Sequence, residues 1–162
     1  MHRRTFLAAA GGLLTLPSLA LASDYTLGAL HIAGPWTRPA AAGQNAAGYL
    51  TIHNTGPTAD ALTAVHCSLA THVTLHSSSM RGGVASMQTL AEISIGPGAM
   101  VALAPGGLHI MFESLRASLA PGATIAATLT FQHAGTVPVR FAVQGPAGRP
   151  MPPMAGMPGM SH

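Results

Sequence analysis

The sequence predicts an all-β sandwich, and three observations support that fold class. No segment between residues 25 and 143 sustains the 3.6-residue apolar repeat of an amphipathic helix. Nine short apolar runs of strand length occur there instead. Gly, Pro and Asn turn signals separate these runs, as they do in sandwiches built from many short strands. The chain has 162 residues, 48% of them hydrophobic, so we expect one domain with a substantial core.

The first 22 residues have the features of an export signal. Arg3 and Arg4 give a positive start, a short apolar stretch follows, and residues 20–22 fit the A-x-A cleavage pattern. Because the apolar stretch is shorter than the roughly 20 residues that cross a bilayer, we expect cleavage after Ala22 and no membrane anchor afterwards. The arginine pair resembles a twin-arginine signal, although His2 stands where Ser or Thr is usual, so the twin-arginine and Sec routes both stay open. The predicted location is the periplasm.

The predicted sandwich occupies residues 23–143. Turn signals at residues 54–57, 81–83, 96–98, 105–107 and 121–122 separate its later strands. The nine predicted strands are 27–32, 48–53, 61–67, 72–76, 84–90, 100–103, 108–112, 125–131 and 137–143. Residues 144–162 differ from this domain, because five of the 19 are Pro and four are Gly. This last segment is predicted to be a disordered tail.

The composition excludes several classes of function. The seven basic residues are all arginine, and loss of Arg3 and Arg4 lowers the net charge from +3 to +1. Nucleic-acid binding needs many more phosphate contacts than that charge supplies. The four acidic residues include no paired carboxylates, and the chain lacks a nucleophile motif and a phosphate-binding glycine loop, so we expect no enzyme. The unusual feature is nine His and nine Met, which are borderline and soft metal ligands.

One His/Met pair falls on a predicted hairpin. Residues 75–87 read as two strands around a tight turn. With Arg81 and Gly82 as a two-residue loop, counting outward sets His76 directly opposite Met87. Facing side chains on antiparallel strands have Cβ atoms about 5 Å apart, so both could reach one metal ion. The pairing depends on that register.

A second pair lies on the strand that follows the turn at residues 105–107. His109 and Met111 project to the same face, because alternate residues of a strand do. If this strand lies near the hairpin, two imidazoles and two thioethers surround one cavity. Thioethers favour Cu(I), whereas zinc, calcium and magnesium sites use thiolate or carboxylate ligands. The sequence therefore predicts a Cu(I) site formed by His76, Met87, His109 and Met111, whose neutral ligands suit a site that releases its metal.

The spacing of these four residues resembles a family signature. His76-x10-Met87-x21-His109-x-Met111 matches the H-x10-M-x21-H-x-M pattern of the PCu(A)C-type periplasmic copper chaperones. The resemblance extends over most of the mature chain, through residues 35–38, 46–54, 105–111 and 129–131. It implies a cupredoxin-like Greek-key sandwich that binds one Cu(I) near its surface and delivers it toward the CuA centre of cytochrome c oxidase, alongside Sco-type proteins. Ser78 stands where many members have Met, which counts against an auxiliary ligand there.

Two alternatives to this function stay open. The only cysteine, Cys67, is followed by His72 and preceded by His53, which is loosely similar to the ligand set of a blue-copper electron-transfer protein. A lone cysteine is more often a small buried apolar residue. The chain could also be a structural sandwich without metal. His31, His66 and His133 are interpreted as ordinary strand or turn residues.

The tail offers a possible second copper-binding element. Its four methionines recur at every third position, and the chain ends in histidine. The flexible thioethers and the histidine could capture copper, as Cu(I) or Cu(II), and feed it to the folded site, although the segment could equally lack a function. The candidate ligands are Met151, Met154, Met157, Met160 and His162.

Overall fold

The computed structural model describes residues 23–145. The expected signal segment and all five candidate ligands of the tail lie outside the described residues. Of the expected tail, only residues 144–145 are described, and the Gln144 N–H donates to the Thr37 carbonyl at 2.9 Å. No helix within the described part of the chain is long and apolar enough to cross a membrane.

Eleven strands make up the regular structure of residues 23–145. They are β1 (Tyr25–Leu27), β2 (Leu30–Thr37), β3 (Ala46–Asn54), β4 (Asp60–His66), β5 (Ala70–Arg81), β6 (Val84–Leu90), β7 (Ile93–Ile95), β8 (Met100–Leu103), β9 (Leu108–Leu115), β10 (Thr124–Phe131) and β11 (Gly135–Val143).

The strands are hydrogen-bonded in the order β6-β5-β9-β3-β2-β11-β10-β4-β7, with β1 paired to β2 and β8 to β3. Every pairing is antiparallel except that of β11 with β2. Both ends of this path contribute to one apolar cluster, which contains Leu75 and Ile110 from one end and Leu62 and Ile95 from the other. The path therefore folds over a shared core, and the predicted all-β class is confirmed.

The structure has two strands more than the nine predicted, and one predicted strand is much longer. The predicted strand 27–32 is interrupted by a turn at Gly28, whose φ of +58° is readily adopted only by glycine, and it forms the hairpin of β1 and β2. β7 is only three residues long, too short for its alternation to stand out in the sequence. β5 continues to Arg81, well past the predicted end at residue 76.

Close packing between β3 and β9 depends on Gly48. A Cβ atom at this position would lie 2.7 Å from Cε2 of Phe112 and 3.1 Å from Cε1 of Phe141. The two phenylalanine rings are fully buried and meet edge to face, with centroids 5.4 Å apart. Because neither ring can move aside in a packed core, only glycine fits here without strain.

A buried carboxylate joins β4 to the turn between β10 and β11. Asp60 Oδ1 accepts from the N–H groups of Ala61 and His133 at 2.8 and 2.9 Å, and Oδ2 accepts from that of Ala134 at 2.9 Å. Burial raises the pKa of Asp60, but these three backbone donors and the nearby His133 side chain outweigh it, so the pKa lies below its usual value. The charged form of Asp60 is thereby stabilised in the fold.

Candidate metal site

All four predicted ligands lie on one face of neighbouring strands. In the β5–β9 pairing His76 is directly opposite His109, and Thr74 is opposite Met111. In the β5–β6 pairing Ser78 is opposite Met87, and Ser78 shares a face with His76 because they are two residues apart. We call the surface formed by His76, Met87, His109 and Met111 the site face.

The predicted register of the hairpin is wrong by two residues. His76 is opposite Thr89, and Met87 is opposite Ser78. The reason is the turn, which uses Gly82 and Gly83 at φ +56° and +78°, the two positive values that a two-residue type I′ turn requires. A turn at Arg81 and Gly82 would have forced an arginine into a conformation that side chains disfavour.

The error leaves His76 and Met87 in contact, because a shift of two residues keeps every side chain on its face. The two side chains are diagonal neighbours, and His76 Nδ1 lies 3.0 Å from the sulfur of Met87. The imidazole rings of His76 and His109 have centroids 5.6 Å apart and planes inclined at 77°. The structure therefore brings the two predicted pairs together side by side.

Exposure differs sharply across the site face. His109 is 4% exposed, whereas Met87 is 54% exposed on β6, the last strand of the hydrogen-bonded path. His76 and Met111 are intermediate. The four predicted ligands therefore range from buried, at His109, to largely solvent-exposed, at Met87.

A hydrogen-bond chain determines which nitrogen of His76 is free. The hydroxyl of Thr74 donates to Glu113 Oε1 at 2.6 Å. Since that hydroxyl has only one proton, it accepts from Nε2–H of His76, which lies 3.0 Å away. The lone pair of the neutral ring is then on Nδ1, the nitrogen that contacts Met87.

His109 is oriented the opposite way. Its Nδ1 lies 3.0 Å from the carbonyl oxygen of Gly107, and a carbonyl can only accept, so Nδ1 carries the proton. The same carbonyl accepts the backbone N–H of Ser78 at 3.0 Å. The backbone of Ser78 in β5 and the ring of His109 thus share one acceptor. Nε2 of His109 is left available to a ligand.

Thr74 and Glu113 are the functional candidates that the ligand pattern missed. Each lies two residues from a predicted ligand, Thr74 from His76 and Glu113 from Met111, so strand alternation places both on the site face. That alternation is visible in the sequence, but their hydrogen bond requires β5 and β9 to be neighbours. The ligands themselves are neutral, but the Thr74 hydroxyl connects His76 to the carboxylate of Glu113. His72 lies opposite Glu113 and flanks the site face.

The geometry gives no support to a blue-copper site at Cys67. Its side chain is 3% exposed and belongs to the apolar core, while His53 and His72 are on β3 and β5 with at least partial exposure. Within residues 23–145 no three or more His, Cys, Asp and Glu side chains are grouped so that they could hold a metal ion.

Sequence comparison identifies the family. The profile described as "Putative lipoprotein LpqE-like" matches residues 30–143. The chain belongs to the LpqE-like family. It is also 31% identical over 134 residues to "Putative lipoprotein Lxx21020" of Leifsonia xyli subsp. xyli (strain CTCB07), an alignment that covers 82% of this chain and 80% of that protein.

Solved structures agree with this assignment. The LpqE-like chain is 30% identical to the apo PCuAC domain from PmoF1, with a TM-score of 0.66 over 76% of this chain and 100% of that domain. The copper-bound PCuAC domain from PmoF2 gives a TM-score of 0.66 at 26% identity over 76% and 99%. Cu(I)-bound DR1885 from Deinococcus radiodurans gives 0.55 at 26% over 68% and 76%. The resemblance to the PCu(A)C-type family and its cupredoxin-like β fold is thereby confirmed.

Proposed function

We propose that this LpqE-like protein is a copper carrier that holds one Cu(I) between His76, Met87, His109 and Met111. The observation that carries the proposal is the convergence of two imidazoles and two thioethers on the site face, with His76 Nδ1 3.0 Å from the sulfur of Met87 and 5.6 Å between the imidazole centroids. Thioethers select Cu(I) over harder cations, and imidazole is compatible with it.

The placement of the ligands suits transfer more than permanent retention. Met87 is on a strand that pairs only with β5 within the described part of the chain, and its thioether is exposed. An acceptor can approach the ion from that side and replace the exposed thioether before the imidazoles. We infer a carrier and not an enzyme, with copper as its cargo.

The proposed setting is the periplasm, reached through the predicted signal at residues 1–22. The family takes its name from a lipoprotein, which is consistent with export. The proposed acceptor is the CuA subunit of cytochrome c oxidase, with Sco-type copper proteins as partners, and the proposed auxiliary element is the methionine-rich tail. These assignments rest on the four-residue signature that the chain has in common with copper chaperones.

The first test is anaerobic titration with Cu(I) against a chromophoric Cu(I) chelator. We expect the tightest equivalent to be colourless in the protein and to be lost in the His76→Ala/Met111→Ala variant. His66→Ala/Met80→Leu is the matched control, because it removes one exposed imidazole and one exposed thioether that the proposal does not use. Retention of the tightest equivalent by the first variant, or its loss in the control, would disprove the assigned ligands.

The second test concerns the acceptor. Copper-loaded protein is mixed with the apo form of a soluble CuA domain, and the visible spectrum of the CuA centre is followed under a reductant and oxidant that permit its assembly. We expect the spectrum to develop with the parent protein. Tight copper binding without any transfer would leave the copper-carrier assignment in place and exclude the CuA subunit as its acceptor.

A further inference from the structure

A second row of metal-ligating side chains crosses the sheet at the other end of β3 from the site face. His31 of β2 is directly opposite His53 of β3, and His53 is directly opposite Met100 of β8. Directly opposite residues share a face, and their Cβ atoms are about 5 Å apart. The two imidazole centroids lie 6.5 Å apart with planes inclined at 42°. Three adjacent strands thus present two imidazoles and one thioether in a line.

The exposure of these residues leaves them accessible to an ion from solvent. His31 is exposed, His53 is partly exposed, and Met100 is 66% exposed. Their neighbours Leu30, Ile32 and Ile52 point into the core, so strand alternation directs the row outward. Thr26 of β1 is opposite His31, and its hydroxyl lies 3.4 Å from Nδ1 of that ring. No core packing accounts for Met100, since its side chain is largely in water.

This row is distinct from the first site although both lie on the same face of β3. Ala47 of β3 is opposite Met111, and His53 is six residues further along the same strand. Six residues of extended chain span about 20 Å, and an even separation keeps both positions on one face. Tyr49 lies between them, covered by Trp36 at a centroid distance of 4.6 Å. One ion cannot contact both sets of ligands.

We propose that His31, His53 and Met100 form a second Cu(I) site. Two imidazoles and a thioether make a three-coordinate set of the soft and borderline ligands that Cu(I) accepts. Met100 supplies the third ligand of the proposed site, because it lies directly opposite His53 and its side chain is exposed. The absence of thiolate and carboxylate disfavours Zn(II). The site does not depend on the function of the first one.

The test uses the full chain labelled with 15N at histidine and titrated anaerobically with Cu(I). We expect the ring nitrogens of His31 and His53 to shift together, in the parent protein and equally in the His76→Ala/Met111→Ala variant. Shifts confined to other histidines would overturn the proposal. Since this readout is local, copper bound by the tail or by the first site cannot imitate it.

Three variants then test the ligands. His31→Gln/His53→Gln should bind one equivalent of Cu(I) less than the parent, whereas His66→Gln/His133→Gln, which removes two exposed imidazoles elsewhere, should bind the same number. Met100→Leu should weaken Cu(I) at this site about tenfold or more and leave Zn(II) binding unchanged. Undiminished stoichiometry in the first variant, or unchanged Cu(I) affinity in Met100→Leu, would overturn the three-ligand assignment.

Discussion

The two halves of the site face are built differently, although the sequence signature gives their residues equal weight. β9, which carries His109 and Met111, is paired on both sides, by β5 and by β3. β6, which carries Met87, is paired only with β5 in the described structure, and most of its side chains are exposed. The β9 half is held in place on both sides, whereas the β6 half can move when a partner protein binds. The comparison indicates that the ligands differ in their effect on stability and on copper release.

The largest effect is expected from His109→Ala. This change removes a ligand and also leaves the carbonyl of Gly107 without one of its two donors. We expect Cu(I) affinity to fall at least about 100-fold, since loss of supporting residues alone costs 10- to 100-fold at metal sites. The free energy of unfolding should fall by about 1–3 kcal/mol, because the lost group is buried and hydrogen-bonded. Chelator competition and urea unfolding measure the two quantities.

Met87→Ala is the counterpart on the exposed half. It should weaken Cu(I) and accelerate its release, but the free energy of unfolding should stay within about 0.5 kcal/mol of the parent value because the side chain is mostly in solvent. If His109→Ala and Met87→Ala lowered the free energy of unfolding equally, the proposed difference in rigidity between the β9 half and the β6 half would be wrong.

The third prediction concerns the packing that fixes β9. Gly48→Ala should destabilise the protein by about 2 kcal/mol, because its Cβ would meet two buried phenylalanine rings. Gly96→Ala is the control, since its Cβ would be 3.7 Å from the nearest atom. Thermal unfolding of the two variants measures the difference. Equal melting temperatures would mean that the β3–β9 contact tolerates an added methyl group and is less rigid than proposed.

The sequence predicted the face of each ligand better than its exact partner. Alternation along β5 and β9 and the turn at residues 81–83 were sufficient to place His76 and Met87 on one face, although the register was wrong by two residues. A register shift of two residues keeps each side chain on its face of the sheet, but it changes which residue lies directly opposite. The contact of His76 with His109 depends on β5 and β9 being neighbours in the sheet, which no local pattern specifies. For the same reason the sequence did not predict the hydrogen bond between Thr74 and Glu113, or the cross-strand neighbours His31, His53 and Met100.

The smallest effect is expected from the hydrogen-bond chain that spans the two halves. Thr74→Val removes the hydroxyl between His76 and Glu113, so Nε2–H of His76 loses its nearer acceptor and retains only the Thr89 hydroxyl at 3.4 Å. Because a hydroxyl can also donate, the ring can then carry its proton on either nitrogen. We expect Cu(I) affinity to fall about tenfold, by the lower end of the range for residues that support metal ligands. The 15N shifts of His76 should report a mixture of tautomers in the metal-free variant and one tautomer in the parent. Thr74→Ser, which keeps the hydroxyl, should restore both the affinity and the single tautomer. Restoration of the single tautomer without restoration of affinity would mean that Thr74 acts through packing, because Thr74→Ser keeps the hydroxyl and removes only the methyl group.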